Sequence, residues 1–225
     1  MQTPAERYLI QKITDILNAD NDSDLKRILN IGAGKSLVIE SSLIDASHKF
    51  ICDRIDIIDC TVKHPSIGKC FIASVEAMPE LESESYLLAF GNYTLEHVLD
   101  LDKASKEISR VLKPDGFLIL SLPNPSAPEF ILSKHTPLWF HRFFRGREVY
   151  HTYYAYKNIQ NLVNVLIANG FTVVEIKYFS FILGYLYRFP IIDLIGNAYD
   201  NIVDYLNLKN LMGNVCLVVK KQRDK

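Results

Sequence analysis

The chain has 225 residues, of which 48% are hydrophobic and 11% aromatic, and its 25 lysines and arginines nearly balance 26 aspartates and glutamates. A chain of this size forms one or two globular domains and buries roughly 70% of the surface that its unfolded form exposes. The composition excludes a disordered or collagen-like chain, and a formal net charge of -1 gives no general field for holding nucleic acid.

The four cysteines, Cys52, Cys60, Cys70 and Cys216, form no CxxC pair and are too sparse for a secreted disulfide scaffold. We therefore expect reduced thiols in a cytoplasmic protein and no metal site.

The N-terminal segment carries charges throughout and lacks the continuous apolar stretch of a secretory signal, so it predicts an amphipathic helix. From residue 27 onward, short apolar runs alternate with longer helical ones, which indicates an α/β protein with parallel strands joined by crossover helices. The predicted strands are Arg27–Ile31, Phe50–Cys52, Cys70–Ala73, Tyr86–Phe90, Phe117–Leu122, Thr172–Tyr178 and Val215–Val219.

Two later segments have helical periodicity, with apolar residues every three or four positions from Val98 to Val111 and from Ile159 to Leu166. Glu96 and His97 are expected to open the first of these helices. Residues 113–116 predict a turn in which Gly116 is free to take a positive φ, and Gly170 follows the second helix as a C-terminal cap.

Residues 123–154 interrupt this rhythm with four prolines, three histidines and many aromatic residues. A connection of this length is either a functional loop or an excursion of the packing. Its histidines His135, His141 and His151 are weak candidates for a general base. The tyrosines that could line an acceptor pocket or belong to the core are Tyr150, Tyr153, Tyr154 and Tyr156.

The most apolar stretch, residues 179–196, contains Arg188, Pro190 and Asp193 within the length that a bilayer crossing needs. It predicts a buried helix and no transmembrane segment, and peripheral contact with a membrane or an apolar substrate is left open. A buried apolar helix and an exposed one give the same sequence pattern near residues 191–206, so the pattern does not fix the oligomeric state.

Residues 28–36, Ile-Leu-Asn-Ile-Gly-Ala-Gly-Lys-Ser, predict a strand that enters a glycine turn suited to close approach of a ligand. A phosphate-binding P-loop is excluded because its first glycine would fall on Leu29. A dinucleotide turn is weakened because Leu37 stands where it needs a third glycine or alanine. The third alternative is S-adenosylmethionine, a nucleoside without a pyrophosphate.

A carboxylate at the end of the second strand could bind both ribose hydroxyls. Asp53 lies 21 residues after Gly32 and is favoured if the strand ends at Cys52, whereas Asp56 takes this role if the strand ends at Ile55.

Three segments in this order resemble class I S-adenosylmethionine-dependent methyltransferases: the turn at 28–34, Leu-Glu-His-Val at 95–98, and Glu-Ile-Ser-Arg-Val-Leu-Lys-Pro-Asp-Gly with the following strand to Pro-Asn at 107–124. The resemblance covers about residues 27–178 and implies a Rossmann-like, seven-stranded, mostly parallel sheet flanked by helices, with a long substrate-side insertion after the fifth strand.

The resemblance also implies cofactor contacts. The methionine part would lie against Gly32, Ala33 and Gly34, with Asn30 near its amino group, and Gly91 and Asn92 would line the same side. Asp53 would hold the ribose, with Asp56 as the alternative, and Ser74 and Val75 would meet the adenine. Asn30, Ser36 and Ser74 depart from the family pattern, in which an acid, a glycine and an aspartate are usual.

These observations predict one methyltransferase-like domain over residues 1–225. Its parts are an N-terminal helix at 1–26, a cofactor-binding half at 27–122, the substrate-side connection at 123–154, and C-terminal helices and strands at 155–225. We expect methyl transfer to a small-molecule, saccharide or lipid-linked acceptor, with oxygen favoured. The alternatives are a noncatalytic binding or scaffold domain and an NAD-dependent oxidoreductase.

Overall fold

A computed structural model describes residues 2–19, 25–43, 50–128, 130–131, 153, 155–181 and 190–223. The candidate bases His135, His141 and His151, and the tyrosines Tyr150 and Tyr154, lie outside the described residues, as does most of the connection at 123–154.

Seven strands form one sheet in the order β3-β2-β1-β4-β5-β7-β6. β7 runs antiparallel to β5 and β6, and the other neighbouring pairs are parallel. The predicted α/β fold with a mostly parallel sheet is therefore confirmed. The strands are β1 Lys26–Ile31, β2 Phe50–Asp56, β3 Ile67–Ile72, β4 Tyr86–Asn92, β5 Leu112–Pro123, β6 Phe171–Phe179 and β7 Asn214–Lys221.

Helices cover both faces of the sheet, because successive strand residues point to opposite sides. The described α-helices include α1 Pro4–Ala19, α2 Val38–Leu43, α3 Leu101–Val111, α4 Ile159–Ala168 and α5 Pro190–Tyr205. Helices α1 and α2 pack with Ile28 on one face, and α3 and α4 pack with Leu29 on the other. The N-terminal helix buries Leu9, Ile13 and Leu17, as its amphipathic pattern predicts.

The chain around α3 differs from its prediction in two places. Leu95–His97 forms a separate 3-10 helix, and α3 begins only at Leu101, where Asp100 caps it by accepting a hydrogen bond from the Lys103 amide at 3.1 Å. The turn predicted at 113–116 is an irregularity inside β5. Asp115 takes the positive φ of 63° there, and the prediction for Gly116 was wrong.

Gly116 is instead required by crowding, since a Cβ at this position would lie 2.8 Å from the Lys113 carbonyl oxygen.

Among the described residues, no helix combines the length and the apolar character needed to cross a bilayer. In α5 and the residues after it, Ile202, Tyr205 and Leu206 are exposed.

Candidate active site

A cavity of about 440 Å³ opens where β1, β2 and β4 end. Its volume is in the range of small-molecule and cofactor sites, and the carboxyl ends of parallel strands are where such sites form. Eight of the ten predicted cofactor-binding residues line it: Asn30, Gly32, Ala33, Gly34, Asp56, Ser74, Val75 and Asn92. Most of the contacts implied by the family resemblance therefore lie on one continuous surface.

The glycine turn uses its own backbone amides to fix its shape. The Gly32 and Ala33 amides donate to the Ile55 carbonyl oxygen at 2.8 and 3.2 Å, and the Gly34 amide donates to Asp56 Oδ2 at 2.8 Å. Since these three donors are already hydrogen-bonded within the protein, they are not free for a pyrophosphate. The turn accommodates a ligand by shape more than by anion binding.

Gly32 must be glycine for two reasons. Its φ is +67°, and a Cβ built on it would lie 2.3 Å from Thr94 Cγ2. Thr94 is held in this position by a hydrogen bond from its Oγ1 to the Ile31 carbonyl oxygen at 3.0 Å. The turn is thus packed directly against the loop that follows β4.

The side chain of Arg54 stabilises the glycine turn through hydrogen bonds to its backbone. Its side chain is completely buried, and Nη2 donates to the carbonyl oxygens of Ala33 at 2.8 Å, Gly34 at 3.2 Å and Ser36 at 2.7 Å. One guanidinium group therefore holds three backbone carbonyl groups of the loop. Hydrogen bonds from a charged donor are stronger than neutral ones, so this anchor makes the turn rigid.

Strand β2 continues to Asp56, so the register that favoured Asp53 was wrong. Asp53 lies inside the strand, is 2% exposed and does not line the cavity. Its Oδ2 accepts from Arg27 Nη2 at 2.7 Å and Tyr86 Oη at 2.8 Å, and its Oδ1 accepts from the Lys69 amide at 2.7 Å. Asp53 is a structural carboxylate that joins β1, β2, β3 and β4.

Tyr86 shows the electrostatic effect of this arrangement. Burial, together with the hydrogen bond to the Asp53 carboxylate, raises the pKa of the Tyr86 hydroxyl. Asp56, in contrast, is half-buried at the mouth of the cavity, where its Oδ1 also accepts from the Ile58 amide at 3.2 Å. Asp56 is therefore the aspartate that stands at the end of β2 beside the cavity, where Asp53 was expected.

Gly91 also lies away from the cavity and does not line its methionine side. A Cβ at Gly91 would contact Ile31 Cγ1 at 3.0 Å and Leu120 Cδ2 at 3.2 Å, so close packing of side chains from β1 and β5 requires glycine here. Its neighbour Asn92 does reach the cavity. The loop after β3 adds Ser74, whose Oγ accepts a hydrogen bond from the Glu76 amide at 3.2 Å.

A polar network beside the cavity ties the N-terminus to the sheet. Asn92 Nδ2 donates to Glu6 Oε1 at 2.7 Å, and Ser121 Oγ donates to Asn92 Oδ1. Tyr93, which also lines the cavity and has a positive φ of 53°, hydrogen-bonds through its hydroxyl to Thr3 and Asn214. Non-glycine residues in this backbone conformation cluster at functional sites.

Several residues of the site were not identified from the sequence, namely Glu6, Glu40, Arg54, Tyr93 and Thr94. The one signal in the chain was Arg54, a basic residue within an otherwise apolar predicted strand. Tyr93 and Thr94 directly follow the predicted Asn92 in the chain, whereas Glu6 reaches the site only through the packing of α1 against the sheet.

Comparisons with known proteins agree with this architecture. Residues 1–176 match the sequence profile of a family described as a methyltransferase domain. A search of curated proteins finds no match.

Among solved structures, an S-adenosylmethionine-dependent methyltransferase from Mesorhizobium loti superposes with a TM-score of 0.60 at 14% identity, covering 96% of this chain and 98% of that one. Phosphoethanolamine N-methyltransferase 2 of Haemonchus contortus, solved with S-adenosylmethionine, gives 0.60 at 15% identity, covering 97% and 56%. The [4+2]-cyclase SpnF gives 0.59 at 18%, covering 95% and 82%. At these identities the superpositions show a shared fold.

The fold is the Rossmann-like fold of class I methyltransferases, and the profile match extends over most of the chain. The protein belongs to the methyltransferase-domain family. Membership of this family makes the chain a methyltransferase. The neighbour from Haemonchus contortus was solved with S-adenosylmethionine bound.

Proposed function

We propose that S-adenosylmethionine lies along the cavity with its methionine end against Gly32–Gly34. Asp56 accepts hydrogen bonds from the ribose hydroxyls, and Ser74 and Val75 contact the adenine. The position of Asp56 beside the turn supports this orientation.

The observation that carries this proposal is the use of the turn amides. The amides of Gly32, Ala33 and Gly34 already bond to Ile55 and Asp56, whereas a dinucleotide site needs such donors for its pyrophosphate. S-adenosylmethionine has no phosphate and does not need them. The geometry thus favours the methyltransferase over the NAD-dependent alternative, in line with Leu37 in the sequence.

We further propose that the acceptor is a small molecule, a saccharide or a lipid-linked intermediate, and that oxygen is the methylated atom. When bound, the cofactor supplies an already activated methyl group, so the protein mainly has to align the nucleophile with it. Asn92 lines the cavity, and its side-chain amide, which uses one N–H for Glu6, has a second N–H that can donate to a hydroxyl acceptor. The near-neutral net charge supports an acceptor other than nucleic acid.

The cofactor proposal is tested by calorimetric titration with S-adenosylmethionine, S-adenosylhomocysteine and NADH. Binding of the first two in the micromolar range without binding of NADH is the expected result. Binding of NADH alone would overturn the proposal and favour the oxidoreductase. Absence of all binding would instead favour the noncatalytic alternative.

The acceptor proposal needs a separate assay. The protein is incubated with methyl-labelled S-adenosylmethionine and panels of glycosides, lipid-linked sugars, amines and nucleic acids, and labelled products are fragmented by mass spectrometry. A methyl ether on a glycoside or lipid-linked sugar is expected. Label confined to nitrogen or to nucleic acid would refute the acceptor class.

We also propose that the protein is located in the cytoplasm, because its four cysteines form no disulfide pattern in the sequence.

A further inference from the structure

Glu40 is a buried carboxylate at the edge of the cavity that uses only part of its hydrogen-bonding capacity. The residue is 1% exposed, lies in α2 and lines the cavity beside the glycine turn. Its Oε1 accepts a hydrogen bond from Asn30 Nδ2 at 2.7 Å. Within the part of the chain that the structure describes, no residue donates to Oε2, although a carboxylate has room for about four hydrogen bonds.

Arg54 balances the charge of Glu40 but does not donate a hydrogen bond to it. Arg54 Nε lies 3.5 Å from Glu40 Oε1, and neither Nε nor Nη1 of this buried side chain has a hydrogen-bond acceptor among the described residues. The hydrogen bonds that Arg54 makes come from Nη2 and go to the turn. A buried charge is costly unless it is both paired and hydrogen-bonded, so Glu40 requires a further donor, and the cavity is where a ligand can supply one.

We propose that Glu40, oriented by Asn30, binds the α-ammonium group of the cofactor. This inference rests on the proposed placement of the methionine end against the glycine turn. S-adenosylmethionine has two cationic centres, but the sulfonium has no hydrogen to donate. The ammonium carries three N–H donors, as a lysine side chain does, and matches the unused oxygen of Glu40.

The same arrangement explains why residue 30 is an amide in this chain. An acid at this position would place two carboxylates in hydrogen-bonding contact beside one guanidinium group, and like charges at this distance repel. The amide of Asn30 instead donates to Glu40 and fixes its orientation. The negative charge of the subsite is therefore supplied from α2 in place of the end of β1.

Three thioether ligands test the proposal on the wild-type protein. S-adenosylhomocysteine carries the ammonium and a carboxylate, its decarboxylated analogue carries the ammonium alone, and 5′-methylthioadenosine carries neither. We expect the decarboxylated analogue to bind on the order of 10-fold to 100-fold more tightly than methylthioadenosine, as a charged hydrogen bond predicts. Equal affinity of these two ligands would overturn the role of Glu40 while leaving the proposed cofactor site intact, whereas no binding of any ligand would overturn both.

The variant Glu40→Gln then assigns the effect to a residue. It should weaken both ammonium-bearing ligands on the order of 10-fold or more and change methylthioadenosine by less than about 2-fold. Glu80→Gln removes the same charge from an exposed loop position and is the matched control. An equal loss for all three ligands would show a merely structural role. If Glu40→Gln does not fold, the wild-type comparison decides.

Discussion

The side-chain amide of Asn92 donates a 2.7 Å hydrogen bond to the carboxylate of Glu6, which joins the end of β4 to the first turn of α1. Glu6 also accepts from the Thr3 amide at 2.6 Å, and its own amide donates to Thr3 Oγ1 at 3.1 Å, which completes a capping box. One carboxylate thus starts the helix and fastens it beside the cavity.

Glu6→Ala should lower the free energy of unfolding by about 1 to 2 kcal/mol, because it removes a helix cap and a hydrogen bond to Asn92. Urea unfolding followed by circular dichroism measures the change. Asp15→Asn, an exposed position on the same helix, is the control and should change it by less than about 0.5 kcal/mol. Equal stability of Glu6→Ala and the wild type would show that this link contributes nothing.

Replacement of the two aspartates of β2 should separate binding from stability. Asp56→Asn should weaken S-adenosylhomocysteine by about 1 to 3 kcal/mol, because it removes a charged hydrogen-bond acceptor at the cavity. Asp53→Asn should leave that affinity nearly unchanged and lower the free energy of unfolding by about 2 to 4 kcal/mol, because it disturbs buried bonds to Arg27 and Tyr86. Calorimetry and urea unfolding of both variants provide the comparison, and the reverse pattern would restore the ribose role to Asp53.

The two glycines of the turn should differ in their tolerance of alanine. Gly32→Ala would place its Cβ against Thr94, whereas a Cβ at Gly34 meets nothing within 4 Å. Both have a positive φ, which costs alanine about 1 kcal/mol, and only Gly32→Ala adds a steric clash. We expect Gly32→Ala to abolish measurable cofactor binding in calorimetry and Gly34→Ala to retain it. Similar affinities for the two variants would contradict the contact with Thr94.

The four cysteines should react unequally with a thiol reagent. Cys52, Cys60 and Cys216 are fully buried, whereas Cys70 is partly exposed. Burial raises the pKa of Cys60 to about 11 and that of Cys216 to about 12. At pH 8 the native protein should therefore give one rapidly reacting thiol, and the protein in denaturant should give four. Rapid reaction of two or more native thiols would refute the burial pattern.

The raised pKa values of Cys60 and Cys216 also set the sign of a stability change. Thiols in the unfolded chain ionise near their ordinary pKa of 9.0, whereas the folded thiols stay protonated to about 11 or 12. Above pH 9 the unfolded chain therefore binds fewer protons, and the free energy of unfolding falls as the pH rises. Urea midpoints at pH 8 and pH 10 should show this decline, and Cys216→Ala should reduce it.

The sequence by itself determined the fold class, because seven short apolar runs separated by helical periods leave few other arrangements. Each of the seven predicted strands overlaps an observed one, although β3 and β5 begin three and five residues earlier, at Ile67 and Leu112, and β2 ends four residues later, at Asp56. Because β2 runs to Asp56, Asp56 and not Asp53 stands at the end of the strand. The sequence did not show this, because the buried Asp53 and Arg54 interrupt the apolar pattern by which a strand is recognised.

Only the tertiary structure decided which polar groups meet at the cavity. The glycine turn was readable because glycine takes the positive φ of Gly32 and Gly34 at no steric cost. The pairing of Asn30 with Glu40, the anchoring of the turn by Arg54 and the contact between Glu6 and Asn92 join residues from different elements. Such contacts depend on strand order and register, and no local pattern in the chain encodes these.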